Sequence, residues 1–164
     1  MRILAPMVLL LSGCPPDPEG CAEPVPEFAL TQSQDIDTRL SDGDSIVMVH
    51  GPQGGWHLEV GVWARVSSYR NTVITLQAEV DEGTIIDSRY DLRLYEKDLE
   101  NCEGYREGLF GFIDTYVQNT RDEPLYPPTD LVGKTVTFIG TMENEDGTVS
   151  QQLTLITEPD PRDL

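Results

Sequence analysis

The chain is poor in basic side chains, histidine and cysteine. Its 164 residues hold 11 Lys and Arg against 29 Asp and Glu, with two His and three Cys. A formal charge of −18 argues against nucleic acid as a partner and against electrostatic docking on anionic head groups. Long apolar runs are missing too. The stretch from Ile3 to Leu11 is broken by Pro6 and is too short for a bilayer-spanning helix, which needs about 20 apolar residues. No window of twelve residues carries a helical apolar stripe, so strands are left as the building blocks. There is no GxSxG, HExxH or CxxC, and with them go the common signatures of serine hydrolases, zinc proteases and dithiol enzymes. The glycine-rich Gly51–Gly55 loop lacks the Lys-Ser/Thr pair and the following helix of a phosphate cradle. Carboxylate pairs for glycoside hydrolysis cannot be singled out among so many acids. The expectation is a protein that is not an enzyme and carries no cofactor.

What is present is alternation with a period of two. Trp56, Leu58, Val60, Val62, Ala64 and Val66 fall on one face, and His57, Glu59, Trp63 and Arg65 on the other. Thr72–Val80, the Tyr90–Leu94 stretch, Thr135–Met142 and Val149–Ile156 repeat the pattern, while Leu109–Val117 is aromatic and apolar. Such patterning marks strands with one buried face. Asp81-Glu82-Gly83 breaks the Thr72–Val80 strand, and Glu143–Gly147 is a hairpin signal, because its Asp-Gly tolerates a positive φ. Seven to eight strands so spaced predict an all-β, β-sandwich domain over residues 28–164, with a partly closed β-barrel as the alternative. Leu131–Phe138 followed by Glu145–Ser150 resembles the last hairpin of bacterial immunoglobulin-like modules, which implies an immunoglobulin-like β-sandwich.

The N-terminus reads MRILAPMVLLLSGC, with Arg2 before the apolar run and Leu11-Ser12-Gly13-Cys14 at its end. This resembles the lipobox of bacterial lipoproteins. The resemblance implies a signal peptide over residues 1–13, cleavage before Cys14, and a diacylglycerol on the Cys14 thiol. Acyl chains bury about 0.8 kcal/mol per methylene, enough for stable membrane anchoring by two or three chains. Pro15, rather than Asp, follows the lipidated residue, which implies sorting to the outer membrane. Residues 14–27, CPPDPEGCAEPVPE, hold five prolines and four acids and form an acidic, Pro-rich tether. Once residues 1–13 are removed, 151 residues remain with ten basic and 29 acidic side chains, a formal charge of −19. Cys14 aside, Cys21 and Cys102 form an even pair in an oxidising compartment, and a disulfide between them is expected.

Both histidines flank one loop, His50-Gly-Pro-Gln-Gly-Gly-Trp-His57. A type I turn at Pro52-Gln53 with a bulge at Gly54 would pair Gly51 with Gly55, His50 with Trp56, Val49 with His57, Met48 with Leu58 and Ile46 with Val60. Opposed residues share a face. His50 then lies on the core side as a half-buried strand end and His57 on the outer side as a surface residue. A slip of one residue would bring His50, His57 and Glu59 together as a zinc or copper site, at the cost of mating an apolar face with a polar one. The block from Gly43 to His57 is similar to one in uncharacterised lipoproteins of myxobacterial type, a similarity that implies no activity. Acidic clusters at Asp35/Asp37, Asp42/Asp44, Asp81/Glu82 and Glu143/Glu145/Asp146 are calcium candidates, but none has the EF-hand spacing. Trp56, Trp63, Tyr95 and Tyr116 could form an aromatic platform. Trp63 on the polar face beside Arg65 is the best binding residue among them, set against a plain cation–π contact. The leading expectation is a lipid-anchored envelope protein with a binding or structural module and a possible envelope protein partner. A periplasmic metal-binding protein using His50 and His57 is the alternative, and a small hydrolase with an acidic site stands third.

Overall fold

The computed structural model describes residues 25–51, 55–81, 83–113 and 128–161. The expected signal peptide, Cys14, Cys21, most of the tether, the Pro52–Gly54 loop tip and Tyr116 lie outside them. Ten strands follow in order: β1 (Glu27–Gln32), β2 (Asp35–Arg39), β3 (Ser45–His50), β4 (Trp56–Arg65), β5 (Thr72–Val80), β6 (Gly83–Leu92), β7 (Tyr95–Asp98), β8 (Glu103–Phe112), β9 (Thr135–Asn144) and β10 (Gly147–Pro159). One short helix, α1 (Pro128–Leu131), precedes β9.

The strands form the expected all-β sandwich. One layer holds β10, β9, β5 and β6 as antiparallel neighbours; the other holds β1 and β8 on opposite edges of β4, with β2 and β7 outside them. β3 belongs to both. It runs antiparallel to β4 at Met48–His50 and parallel to β10 at Ser45–Met48. At the opposite side the layers meet where Ile86 of β6 bridges Ile113. There Ser88 Oγ accepts from the Phe112 amide, while the Tyr90 hydroxyl takes the Phe110 amide and donates to the Phe110 carbonyl.

The apolar face expected of β4 is the one that meets the core. Leu58, Val60, Val62 and Ala64 are buried in one cluster with Ile74, Leu76 and Ala78 of β5, Val136, Phe138 and Met142 of β9, and Leu153 and Leu155 of β10. The layers approach closely at Gly140, where a Cβ would lie 2.8 Å from a Leu30 methyl and 3.0 Å from the Phe28 ring. The expected Asp-Gly hairpin forms between β9 and β10, with Gly147 at φ 128°. Asn71 and Asp81 open and close β5 in the left-handed region, a place short polar side chains tolerate. The strand count exceeds the expected seven to eight because β2 (DIDTR) and β7 (YEKD) are short, mostly exposed edge strands. Charged edges of this kind blunt strand-to-strand aggregation and carry no apolar alternation.

Tyr69 covers the turn between β4 and β5. A Cβ at Gly104 would sit 2.7 Å from its ring, so only glycine leaves room for that packing. Its hydroxyl is buried without a hydrogen-bond partner. Burial, then the charges of Glu96, Asp98 and Glu103, push the Tyr69 phenol above its ordinary value. A group whose folded pKa is raised contributes stability that is complete below the unfolded pKa and fades as pH climbs through the folded one. Tyr69→Phe is therefore expected to leave stability near neutral pH almost unchanged, since no hydrogen bond is lost. It should raise stability above about pH 10, the unfolded tyrosine value. Urea midpoints of both proteins at pH 7 and at pH 11 check this, and a loss at pH 7 would mean the hydroxyl is paired.

Candidate binding face

The outer face of the β1–β4–β8 layer carries most of the residues singled out in the sequence. β3 meets β4 with Met48 opposite Leu58, Val49 opposite His57 and His50 opposite Trp56. The Gly51 amide donates to the Gly55 carbonyl at 2.7 Å. These are the pairs expected from hydrophobic matching. The Ile46–Val60 pair is not made, because Gln32 of β1 takes the place beside Val60. The alternation that follows sends His50 and His57 to opposite faces. Among the described residues, no group of three or more His, Cys, Asp or Glu side chains is placed to hold a metal ion.

The exposure of the two histidines reverses the expectation. His50 is exposed, stacked on Trp56 with ring centroids 4.6 Å apart. His57 is buried. Its ring lies edge-on to Phe110 at 4.6 Å and tilted to Phe112 at 6.1 Å. Phe112 and Phe110 stand opposite His57 and Glu59 in the β4–β8 ladder, and they cover a position that the sequence marks as solvent-facing. Both phenylalanines stay exposed, Phe112 at 59%.

Trp63 is no open platform. It is 2% exposed, with the Arg39 guanidinium 4.0 Å and the Arg65 guanidinium 5.7 Å from its ring centroid. Its indole N–H donates to Glu103 at 3.2 Å, and Arg65 is paired with Glu27 at 2.5 Å. The cation–π contact expected with Arg65 is present, but the closer cation is Arg39, brought in by β2. A buried indole held in this way positions strands and offers no surface to a ligand. Tyr95 remains exposed, edge-on to Tyr105 at 5.5 Å and under the Arg106 guanidinium at 4.5 Å.

Several of the acidic side chains hold the backbone in its turns. Asp44 accepts from the Ser41 amide and Asp42 from the Thr154 amide. Asp146 accepts from both the amide and hydroxyl of Ser67, tying the β9–β10 hairpin to the opposite layer. Asp98 accepts from the amides of Glu100 and Asn101 and from the Asn101 side chain. Those bonds, the Asn101 side chain foremost, hold its carboxyl below the usual range. The turn they build ends at Cys102, which has φ 65° and is disulfide-bonded.

A feature the sequence did not reveal lies where β1 and β3 share one edge of β4. β1 leaves that edge at Gln32 and β3 joins it at Met48, leaving Glu59 between them. The fork opens into a crevice of about 370 Å³. Val47 and Val49 supply its apolar wall; Gln32, Asp35, Glu59 and Asp160 supply the polar one. Asp160 is 4% exposed. No basic side chain is among the described residues lining it.

No protein-family model and no curated protein matches this chain. Among solved structures it is similar to the CooA pilin subunit from enterotoxigenic Escherichia coli. The match has 11% identity and a TM-score of 0.36, and it covers 82% of this chain and 99% of that one.

Proposed function

We propose that this chain is a lipid-anchored protein of the bacterial cell envelope whose β-sandwich is a non-enzymatic binding or structural module. The observation that carries the reading is the disulfide at Cys102. A structural disulfide is a property of exported proteins, because the cytosol keeps thiols reduced. Of the three cysteines, one must stay outside the bridge. Cys14 follows the apolar N-terminal run, in the place where a diacylglycerol thioether would form, and this leaves Cys21 as the partner of Cys102. The proline-rich, acidic residues 14–27 suit a spacer between an acylated residue and a folded domain. Pro15 after Cys14 favours the outer membrane, and the side chains on the outer face support binding or structural contact.

Expression of the full chain in a bacterial host tests the anchor. The protein is expected in the detergent phase after phase partition, with an acylated Cys14 at its N-terminus by mass spectrometry. Cys14→Ser should abolish both the acylation and the processing before residue 14. An aqueous-phase protein with a free Cys14, or a Cys14–Cys102 bridge in a non-reducing peptide map, would overturn the assignment.

A further inference from the structure

We infer that the row Arg39–Trp63–Tyr105–Tyr95–Arg106, on the outer face of the β1–β4–β8 layer, is a binding site for an acidic oligosaccharide whose sugar rings carry well-spaced carboxylates. The ladders build the row. Tyr105 of β8 stands opposite Trp63 of β4, and Tyr95 of β7 stands opposite Tyr105. Opposed residues share a face, and two strand spacings put about 10 Å between the first ring and the last. A guanidinium lies over each end, Arg39 at 4.0 Å from the Trp63 centroid and Arg106 at 4.5 Å from that of Tyr95. The Asp37–Lys97 ion pair joins β2, which carries Arg39, to β7, which carries Tyr95.

Charge is the first argument. The acids of this face are engaged by other cations: Glu27 by Arg65, Asp37 by Lys97, and Glu103 by the Trp63 N–H with Lys97 4.0 Å away. Among the described residues, Arg39 and Arg106 form no ion pair. Acids outnumber bases 29 to 11 in this chain, yet both arginines rest on a ring where a carboxylate could have stood. A guanidinium stacked on a ring keeps its in-plane N–H fork for an anion, and that fork fits a carboxylate bidentately. The ring beneath orients the fork before the ligand arrives, which lowers the cost of binding. Exposure is the second argument. Tyr95 is 49% exposed and Tyr105 half-buried, whereas Trp63 serves only as the floor under Arg39. A sugar ring has an apolar C–H face and a hydroxyl rim, matching the apolar body and polar tip of a phenol. A simple inorganic anion would leave the tyrosines unused. The net charge of −18 repels a dense polyanion, so the carboxylates of the ligand must be spaced apart. The inference deepens the binding role proposed above, rests on that reading, and is independent of the anchor.

The experiment is an NMR titration of the full chain, purified in a sugar-free detergent, that follows the arginine side-chain N–H signals. Digalacturonate is the probe, galactobiose its uncharged counterpart, and acetate the carboxylate without a ring. Digalacturonate is expected to shift the Arg39 and Arg106 signals saturably, and more weakly as salt is raised. Arg39→Gln and Arg106→Gln should each weaken its binding roughly tenfold, as loss of a charge-assisted pair does. Tyr95→Ala should weaken it several-fold. Arg89→Gln, at an exposed position on β6, should leave it unchanged. The proposal is overturned if digalacturonate shifts neither signal, if galactobiose binds as well, or if acetate does the same at equal carboxylate concentration. It is overturned too if the Arg39→Gln/Arg106→Gln double variant binds like the parent while melting at the same temperature. The sugar and acetate controls use the parent chain, so they decide the matter even where a variant is unstable. A chain that partitions into detergent yet ignores digalacturonate keeps the envelope reading and loses this one.

Discussion

Phe138→Ala is expected to lower the free energy of unfolding by about 3–5 kcal/mol, the range for emptying a buried aromatic site. Phe138 heads the largest fully buried side chains of the core, at 0% exposure. It sits mid-strand in β9, with Ala78 beside it on β5 and Leu153 on β10. Those ladders fix its backbone on both sides, so the site cannot collapse by sliding a strand, and the cavity persists. Domains of this size hold only about 5–15 kcal/mol in total, so the variant would stand near the edge of folding. Urea denaturation measures the loss, with Phe112→Ala as the control. Phe112 is 59% exposed and its removal should cost about 0.5 kcal/mol or less. Equal losses for the two would mean that the core does not lie between the layers as described.

Cys102→Ser is the second large effect, expected at about 2–5 kcal/mol in a folded, oxidised sample. With Cys21 as partner, the bridge closes a loop of about 80 residues, long enough for the chain-entropy contribution to be near the top of that range. The residue adds a refinement of its own. Cys102 has φ 65°, and left-handed backbone costs a side-chain-bearing residue roughly 1–2 kcal/mol relative to glycine. Cys102→Gly should thus lose the same cross-link yet stand about 1 kcal/mol above Cys102→Ser. Guanidinium midpoints of both variants, beside the parent with and without reductant, separate the bridge from the backbone. A reductant that leaves the parent unchanged would remove the disulfide from the account. Cys102 lies at the Arg65 end of β4, where its carbonyl accepts from the Val66 amide, and the β3–β4 hairpin lies at the other end, where His50 stands opposite Trp56.

The strands that the sequence made legible are those with one buried face. β4, β5 and β9 alternate because the core lies on one side, and the register of β3 on β4 followed from the same rule, since slipping Met48 off Leu58 would turn an apolar face outward. What escaped was decided by residues far away in the chain. His57 was legible as outer-facing and is so, but it is buried because Phe110 and Phe112 arrive on β8. Trp63 was legible beside Arg65, while Arg39, the nearer cation, comes from β2, an edge strand with no apolar pattern to announce it. The crevice had no local signature at all. It exists because β1 and β3 divide one edge of β4, which no single stretch of sequence encodes.

β10 pairs with β9 over its length and with β3 at its end, so the last of the described strands stands in the middle of the sheet path. During synthesis the strands of the β1–β4–β8 layer are all made by residue 112, while the β10–β9–β5–β6 layer is incomplete until residues 147–159 emerge. The pairing of β3 with β10 spans more than a hundred residues, and closing such separations is what makes all-β domains fold in milliseconds to seconds rather than microseconds. The β3 strand can therefore join the two layers only after β10 has been made.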